Sequence, residues 1–235
     1  MPNADPDPAC AACQASESCA FTALGPEARA RFHEIAESRY YAPGTVLSRQ
    51  GERADSLYVV RSGLVRLLHL TVDGKEVGMR VITPGGMIGL TEVITGEPYH
   101  GTAQSVEDTR VDFIPRKLFV PFLLSTPKLS VELLIRISHE LERLQAEAYE
   151  ADGGSPMVQR LLHTLHDLAR SCGVSIEGGM LLDLPLTVKD LARSLGCSRQ
   201  WASKMLSEIE EGGLIERDGR RIVVTRAGLE ADGSG

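Results

Sequence analysis

The 235-residue sequence predicts an α+β chain in two parts, a β jelly roll followed by a C-terminal winged helix-turn-helix, joined by one long dimerisation helix. Three observations predict it. Between residues 40 and 116, short apolar runs alternate with Gly- and Asp-rich turns, as in an antiparallel sandwich or barrel and most simply a jelly roll. From 127 to 150 (PKLSVELLIRISHELERLQAEAYE) apolar residues recur in steps of three and four. From 186 to 228, two short capped helices around a glycine turn are followed by a hairpin.

The chain is long enough for two ordinary domains, each with a core of its own. A hydrophobic content of 43% is that of a soluble globular protein, and the run 118–124 is too short to span a membrane. MPNADPDPAC has neither the basic region nor the apolar core of a signal peptide, so the expected location is cytoplasmic, with no membrane partner. Thiols stay reduced there, so five cysteines suggest metal or redox chemistry rather than disulfides. The net charge of −7 argues against a globally basic nucleic-acid binder. From Ser155 onward, however, ten Lys/Arg stand against eleven Asp/Glu, which leaves −6 to the first 154 residues. Contact with nucleic acid would therefore come from a local basic surface near the C-terminus.

The expected division is a cysteine-rich arm (1–22), a jelly-roll domain (23–125), a dimerisation helix (126–152) and a winged domain (153–230). In the arm, Cys10, Cys13 and Cys19 are spaced C-x2-C-x5-C. Three thiolates within ten residues can reach one metal centre, and thiolate suits both iron–sulfur clusters and zinc. Residues 24–38 read as a short amphipathic helix with proline in its first turn. Strands are expected at 45–49, 56–61, 63–70, 76–82, 87–90 and 109–114, with Asp73-Gly74 as a hairpin turn. His69 and His100 belong to no His-x-His pair, which counts against a jelly-roll metalloenzyme centre. In the long helix, Leu134, Ile137, Leu141, Leu144 and Ala148 make a narrow a/d seam, and the positions outside it include Glu132, Arg136, Glu140, Glu142, Arg143 and Glu147. At about 36 Å, the helix is longer than one domain needs internally. The pattern therefore points to a homodimer spine, while a helix folded back on its own domain would show a wider apolar face.

After a linker at 152–155, residues 156–170 form an amphipathic helix ended by Gly173, with Cys172 a bystander thiol. Thr187 and Asp190 make a capping box, Gly196 the turn, and Ser198 the cap of the second helix. With Ala202, Leu206 and Ile209 inward, Arg199, Gln200, Ser203 and Lys204 share an exposed face at the start of that helix. These residue types read bases and bind phosphates at the end that enters a major groove, with Gln200 suited to adenine. Cys197 is expected to be packed, and Trp201 to pack at the helix rim, with a methyl or sugar contact as the alternative. The hairpin around Asp218-Gly219 forms a wing carrying Arg217, Arg220 and Arg221, with Arg226 close by.

GERADSLYVVRSGLVRL, PGGMIGLTE and LARSLGCSRQ, in this order over about residues 10–226, resemble the cyclic-AMP-receptor/FNR family of bacterial transcription regulators. The resemblance implies a cyclic-nucleotide-binding-type jelly roll, a dimer helix, and a winged head that binds a palindromic site in double-stranded DNA and contacts RNA polymerase. Nucleotide-binding members carry Gly-Glu-Leu and an Arg-Ser pair. This chain has Gly89-Leu90-Thr91 and His100-Gly101, so the ribose carboxylate and the phosphate guanidinium are both missing and a cyclic nucleotide is not expected. The N-terminal trio resembles instead the FNR branch, whose members sense oxygen through a 4Fe–4S cluster. That branch has a fourth cysteine where this sequence has Asp112. The resemblance implies Asp112 as the fourth ligand, a three-cysteine cluster with an outside ligand, or another use of the trio. Strand alternation sets Asp112 on the face opposite Val111 and Phe113, outward if those two fill the barrel. The resulting expectation is an oxygen- or oxidant-sensing DNA-binding regulator. A zinc-bound or thiol-switch regulator, a metalloenzyme with an accessory winged domain, and a non-sensing architectural DNA binder are the alternatives.

Overall fold

The computed structural model describes residues 19–71, 73, 76–149 and 156–231. Cys10, Cys13, Gly74 and the linker at 152–155 lie outside the described residues, as do the side chains of Leu144 and Ala148. The chain falls into two compact units that part within the long helix between Leu141 and Glu142, residues 75–79 being grouped with the second.

The first unit opens with a 3-10 turn, Ala20–Ala23, and helix α1, Pro26–Ile35. Eight strands follow: β1 (Glu37–Tyr41), β2 (Val46–Ser48), β3 (Ser56–Ser62), β4 (Val65–Leu70), β5 (Glu76–Ile82), β6 (Met87–Ile88), β7 (Thr102–Ser105) and β8 (Thr109–Pro115). They form two four-stranded sheets, ordered β1-β8-β3-β6 and β2-β7-β4-β5, which is the jelly roll the sequence predicts. The expected strand at 87–90 stops after two residues. Gly89 is left-handed (φ 82°) and turns the chain into helix α2, Leu90–Thr95. A Cβ at Gly89 would stand 2.6 Å from the Tyr99 ring, so both conformation and space require glycine there. Strands β1 and β7 are not apparent in the sequence, because ESRYY and TAQS lack an apolar run.

Strand β3 is buried on both faces. The register pairs Tyr58 with Phe113 and Val60 with Val111 on one face, and Leu57 with Ile114 and Val59 with Asp112 on the other. Tyr58 meets the Phe113 ring edge-on at 5.5 Å. Phe32 of α1, Phe119 and Phe122 of α3 (Arg116–Leu124), and Leu129 and Leu133 of α4 (Pro127–Tyr149) join the same core. The long helix therefore has two apolar faces. Leu129 and Leu133 are buried, whereas Val131, Leu134, Ile135, Ile137 and Leu141 are exposed, Leu134 at 63%.

The second unit runs α5 (Pro156–Cys172), β9 (Val174–Ile176), β10 (Gly179–Leu182), α6 (Val188–Leu195), α7 (Arg199–Glu211), β11 (Ile215–Asp218), β12 (Arg221–Thr225) and α8 (Arg226–Ala231). Its sheet is ordered β11-β12-β10-β9, so the wing is twice as wide as the single hairpin expected. Leu161, Leu165 and Leu168 of α5 are buried as their spacing requires. Among the described residues, no single helix is long and apolar enough to cross a membrane.

Candidate nucleic-acid interface and sensor region

Helix α6 begins in a complete capping box. Thr187 Oγ1 accepts from the Asp190 N–H (3.2 Å), and Asp190 Oδ2 accepts from the Thr187 N–H (2.9 Å). Gly196 (φ 68°) ends the helix in the left-handed region, and the Cys197 N–H donates to the Ala192 carbonyl at 2.9 Å. Ser198 caps α7 by accepting from the Trp201 N–H at 3.2 Å. Ala202, Met205, Leu206 and Ile209 are buried, and their side of α7 is thereby fixed. Arg199, Gln200, Ser203 and Lys204 are all exposed around the N-terminal half, where the positive end of the helix dipole also favours phosphate. Trp201 corrects the expectation of rim packing. It is 54% exposed, and Lys204 Nζ lies 5.3 Å from its ring centroid.

The wing arginines divide by role. Arg217 donates from Nε to Glu210 Oε2 (2.8 Å), from its backbone N–H to Glu210 Oε1 (3.0 Å), and from Nη2 to Ser207 Oγ (3.2 Å). It thus ties β11 to α7 and is engaged within the fold. The Arg217 hydrogen bond holds the Glu210 carboxyl below its usual range. Arg221 pairs with Asp183 at 3.0 Å, but both side chains are more than half exposed, and such a pair is worth only about 0–1 kcal/mol. Arg220 is exposed at the tip. The Glu210–Arg217 clasp has no sequence signal, since it joins a helix to a strand across a turn.

In the first unit, Asp112 lies on the face of β8 opposite Val111 and Phe113, as strand alternation requires. The face is covered, not solvated. Asp112 is 4% exposed, and its Oδ2 accepts from Arg61 Nε at 2.6 Å, itself a buried side chain. His33 Nδ1 of α1 stands 3.4 Å from Arg61 Nη2. Phe32 stacks on Phe21 at 4.0 Å, two residues beyond Cys19, which packs against the same core. A continuous chain of neighbours therefore links the end of the cysteine arm to Asp112. Among the described residues, no group of three or more His, Cys, Asp or Glu is placed to hold a metal ion.

The nucleotide-motif positions are occupied by packing. Gly101 is buried, and a Cβ there would stand 3.0 Å from both Leu67 Cδ1 and the Leu68 carbonyl, so a serine would be crowded. His100 receives the Glu92 carboxylate, with Oε1 3.2 Å from its backbone N and 3.1 Å from Nδ1. His69 Nδ1 lies 2.8 Å from the His100 carbonyl, and neither imidazole belongs to a larger ligand set among the described residues.

Residues 38–125 match the cyclic nucleotide-binding domain family, and residues 159–231 the Crp-like helix-turn-helix domain family. The chain is similar to the anaerobic regulatory protein of Bacillus subtilis, with 29% identity over 193 residues, 78% of this chain and 77% of that one. It is also similar to the nitrogen fixation regulation protein FixK of Azorhizobium caulinodans, with 30% identity over 174 residues, 74% of this chain and 68% of that one. Among solved structures, the c-di-GMP-responsive global regulator CLP of Xanthomonas campestris is alike in fold, with a TM-score of 0.65 at 22% identity over 86% of this chain and 99% of that chain.

Proposed function

Since the chain belongs to the cyclic-AMP-receptor/FNR family of DNA-binding transcription regulators, we propose that it acts as a homodimer sensing oxygen or a related oxidant, such as nitric oxide, through an iron–sulfur cluster on Cys10, Cys13 and Cys19. Both matching domain families and the similar proteins are those of regulators, not enzymes. The observation that carries the sensing assignment is the combination of a thiol trio with a jelly roll lacking the nucleotide-binding groups. Leu90 and His100-Gly101 stand where a carboxylate and an Arg-Ser pair would bind ribose and phosphate, and the space at Gly101 is taken.

The donor chemistry fits, because soft thiolates are the usual hosts of iron–sulfur clusters. A bound cluster would supply the oxidant-sensitive centre. Asp112 is our candidate for the fourth ligand. It is a harder donor than thiolate, and it already carries a charged hydrogen bond from Arg61, so its hold on soft iron would be the weakest of the four. The chain's own part is to dock Cys19 against the core that α1 and, through Leu129 and Leu133, the long helix also join. Two heads related by the dimer axis would read the halves of a palindromic site, with Ser198, Arg199, Gln200, Ser203 and Lys204 in successive major grooves and Arg220 and Arg221 on flanking phosphates. The promoter-bound dimer would contact RNA polymerase.

Purification without oxygen tests the assignment. A brown protein that bleaches in air, and loses its colour with Cys13→Ala, is the expected result. A colourless protein with stoichiometric zinc would replace the cluster by the zinc or thiol-switch reading, which rests on the same cysteines.

A further inference from the structure

Trp201 is the one large apolar side chain of α7 left in solvent. Ala202, Met205, Leu206 and Ile209 of the same helix are buried to 2% exposure or less, whereas Trp201 is 54% exposed. It is held in place from two sides. Its backbone N–H is bonded to the Ser198 cap, and the Lys204 ammonium sits 5.3 Å from its ring centroid. A cation on an indole face orients the ring and costs it no burial. The residue lies in the first turn of the helix whose N-terminal residues face base edges in this class of head. Around the helix it follows Gln200 and Lys204, on the flank away from Arg199. A rigid apolar ring in that place matches the one apolar feature of the major groove, the thymine 5-methyl group.

We propose that Trp201 is a specificity-determining residue of the head, packing its indole against the 5-methyl of a thymine within the half-site. The inference rests on the DNA-binding reading, and it assigns to this chain an apolar contact separate from the polar readout by Arg199, Gln200 and Lys204. The ring brings Lys204 with it, so the same side chain places an ammonium within reach of the adjacent phosphate or guanine.

Trp201 is the sole tryptophan of the chain, so its emission reports on this ring alone. The experiment uses the full-length protein, purified without oxygen, and a duplex selected from a random pool by that protein. On saturation with this duplex, emission should be quenched or shifted and shielded from iodide. Replacing thymine by uracil, one half-site position at a time, removes only methyl groups. At one position, binding should weaken by about threefold to tenfold, in the range of one or two buried methyl-sized contacts. Trp201→Ala should bind the thymine duplex more weakly and should no longer distinguish it from the uracil duplex, while its thermal unfolding stays that of the parent because the side chain is exposed. An iodide-accessible ring in the saturated complex would overturn the proposal. So would shielding with no uracil penalty at any position, which would place the ring on the sugar–phosphate backbone, or a uracil penalty that persists in Trp201→Ala. Failure of the parent protein to select any duplex would overturn the DNA reading itself, and this inference with it.

Discussion

At the scale of single residues, the pair Arg61–Asp112 changes what Asp112 can be used to learn. Their side chains are only 10% and 6% exposed, so water screens the charges little. Breaking a buried pair by removing one partner typically costs about 3–5 kcal/mol, and Arg61 keeps its contact with His33 when the carboxylate is lost. Asp112→Ala is therefore expected to destabilise the jelly roll by that amount in urea unfolding of the metal-free protein, whatever its role toward iron. The double variant Arg61→Met with Asp112→Leu should recover most of the loss, since a well-packed apolar pair replaces a buried ion pair at little cost. A loss under about 1 kcal/mol for Asp112→Ala would mean that the pair is open to water in solution. Cluster ligation must then be tested by gain rather than by loss, for example by slower bleaching of Asp112→Cys in air.

At the scale of elements, the wing and the recognition helix are one unit because Glu210 grips Arg217 by both its guanidinium and its backbone N–H. The Glu210 carboxyl is held below its ordinary value of 4.5, first by the Arg217 side-chain hydrogen bond. A carboxyl whose pKa falls on folding adds stability above its unfolded pKa and loses it as pH drops through the folded one. The clasp should therefore persist at pH 4.5 and release only in more acid solution. The Arg217 Nε–H resonance followed between pH 6 and 3 would show this, and a midpoint at or above 4.5 would contradict it. Glu210→Gln should flatten the titration and loosen the hairpin without altering the Thr187–Asp190 box, which is confined to α6 and its cap.

For the whole molecule, the exposed stripe on α4 is wider than the a/d seam read from the sequence, because Val131 and Ile135 join Leu134, Ile137 and Leu141. Leu129 and Leu133 already anchor the helix to its own domain, so this second face is available to a twin helix. No charged residue interrupts the seam from Leu134 to Ala148, so two copies paired along it would meet without like-charge repulsion. The metal-free protein is expected to remain at least partly dimeric at micromolar concentration, with sensing acting on head orientation as well as on assembly. Leu134→Glu should produce monomers, as each chain would bury an unpaired carboxylate. Sedimentation of the metal-free parent as a monomer would refute the first expectation, and a dimeric Leu134→Glu protein would refute the second.

The amino-acid sequence by itself determined the features whose interactions lie within a few residues of one another. The 3.6-residue stripe of α5, the Thr187–Asp190 box, the Gly196 turn and the Ser198 cap were all legible, and the structure has each of them. The side of β8 on which Asp112 stands, opposite Val111 and Phe113, was legible too, since a strand alternates whatever its partners, but the sequence pointed it outward and the structure buries it. The identity of those partners was not legible. Arg61 lies 51 positions from Asp112, and only the β3–β8 register brings them together. Strands β1 and β7 carry no apolar run and form because β8 and β4 offer them edges. The exposure of Trp201 was likewise decided in three dimensions. Its helix fills its inward positions with Ala202, Met205, Leu206 and Ile209, and an indole on the adjoining flank finds a lysine in place of a core. Local hydrogen bonds and periodicity are written along the chain, but the pairing of distant groups depends on sheet register and on which face of each element the core has already taken.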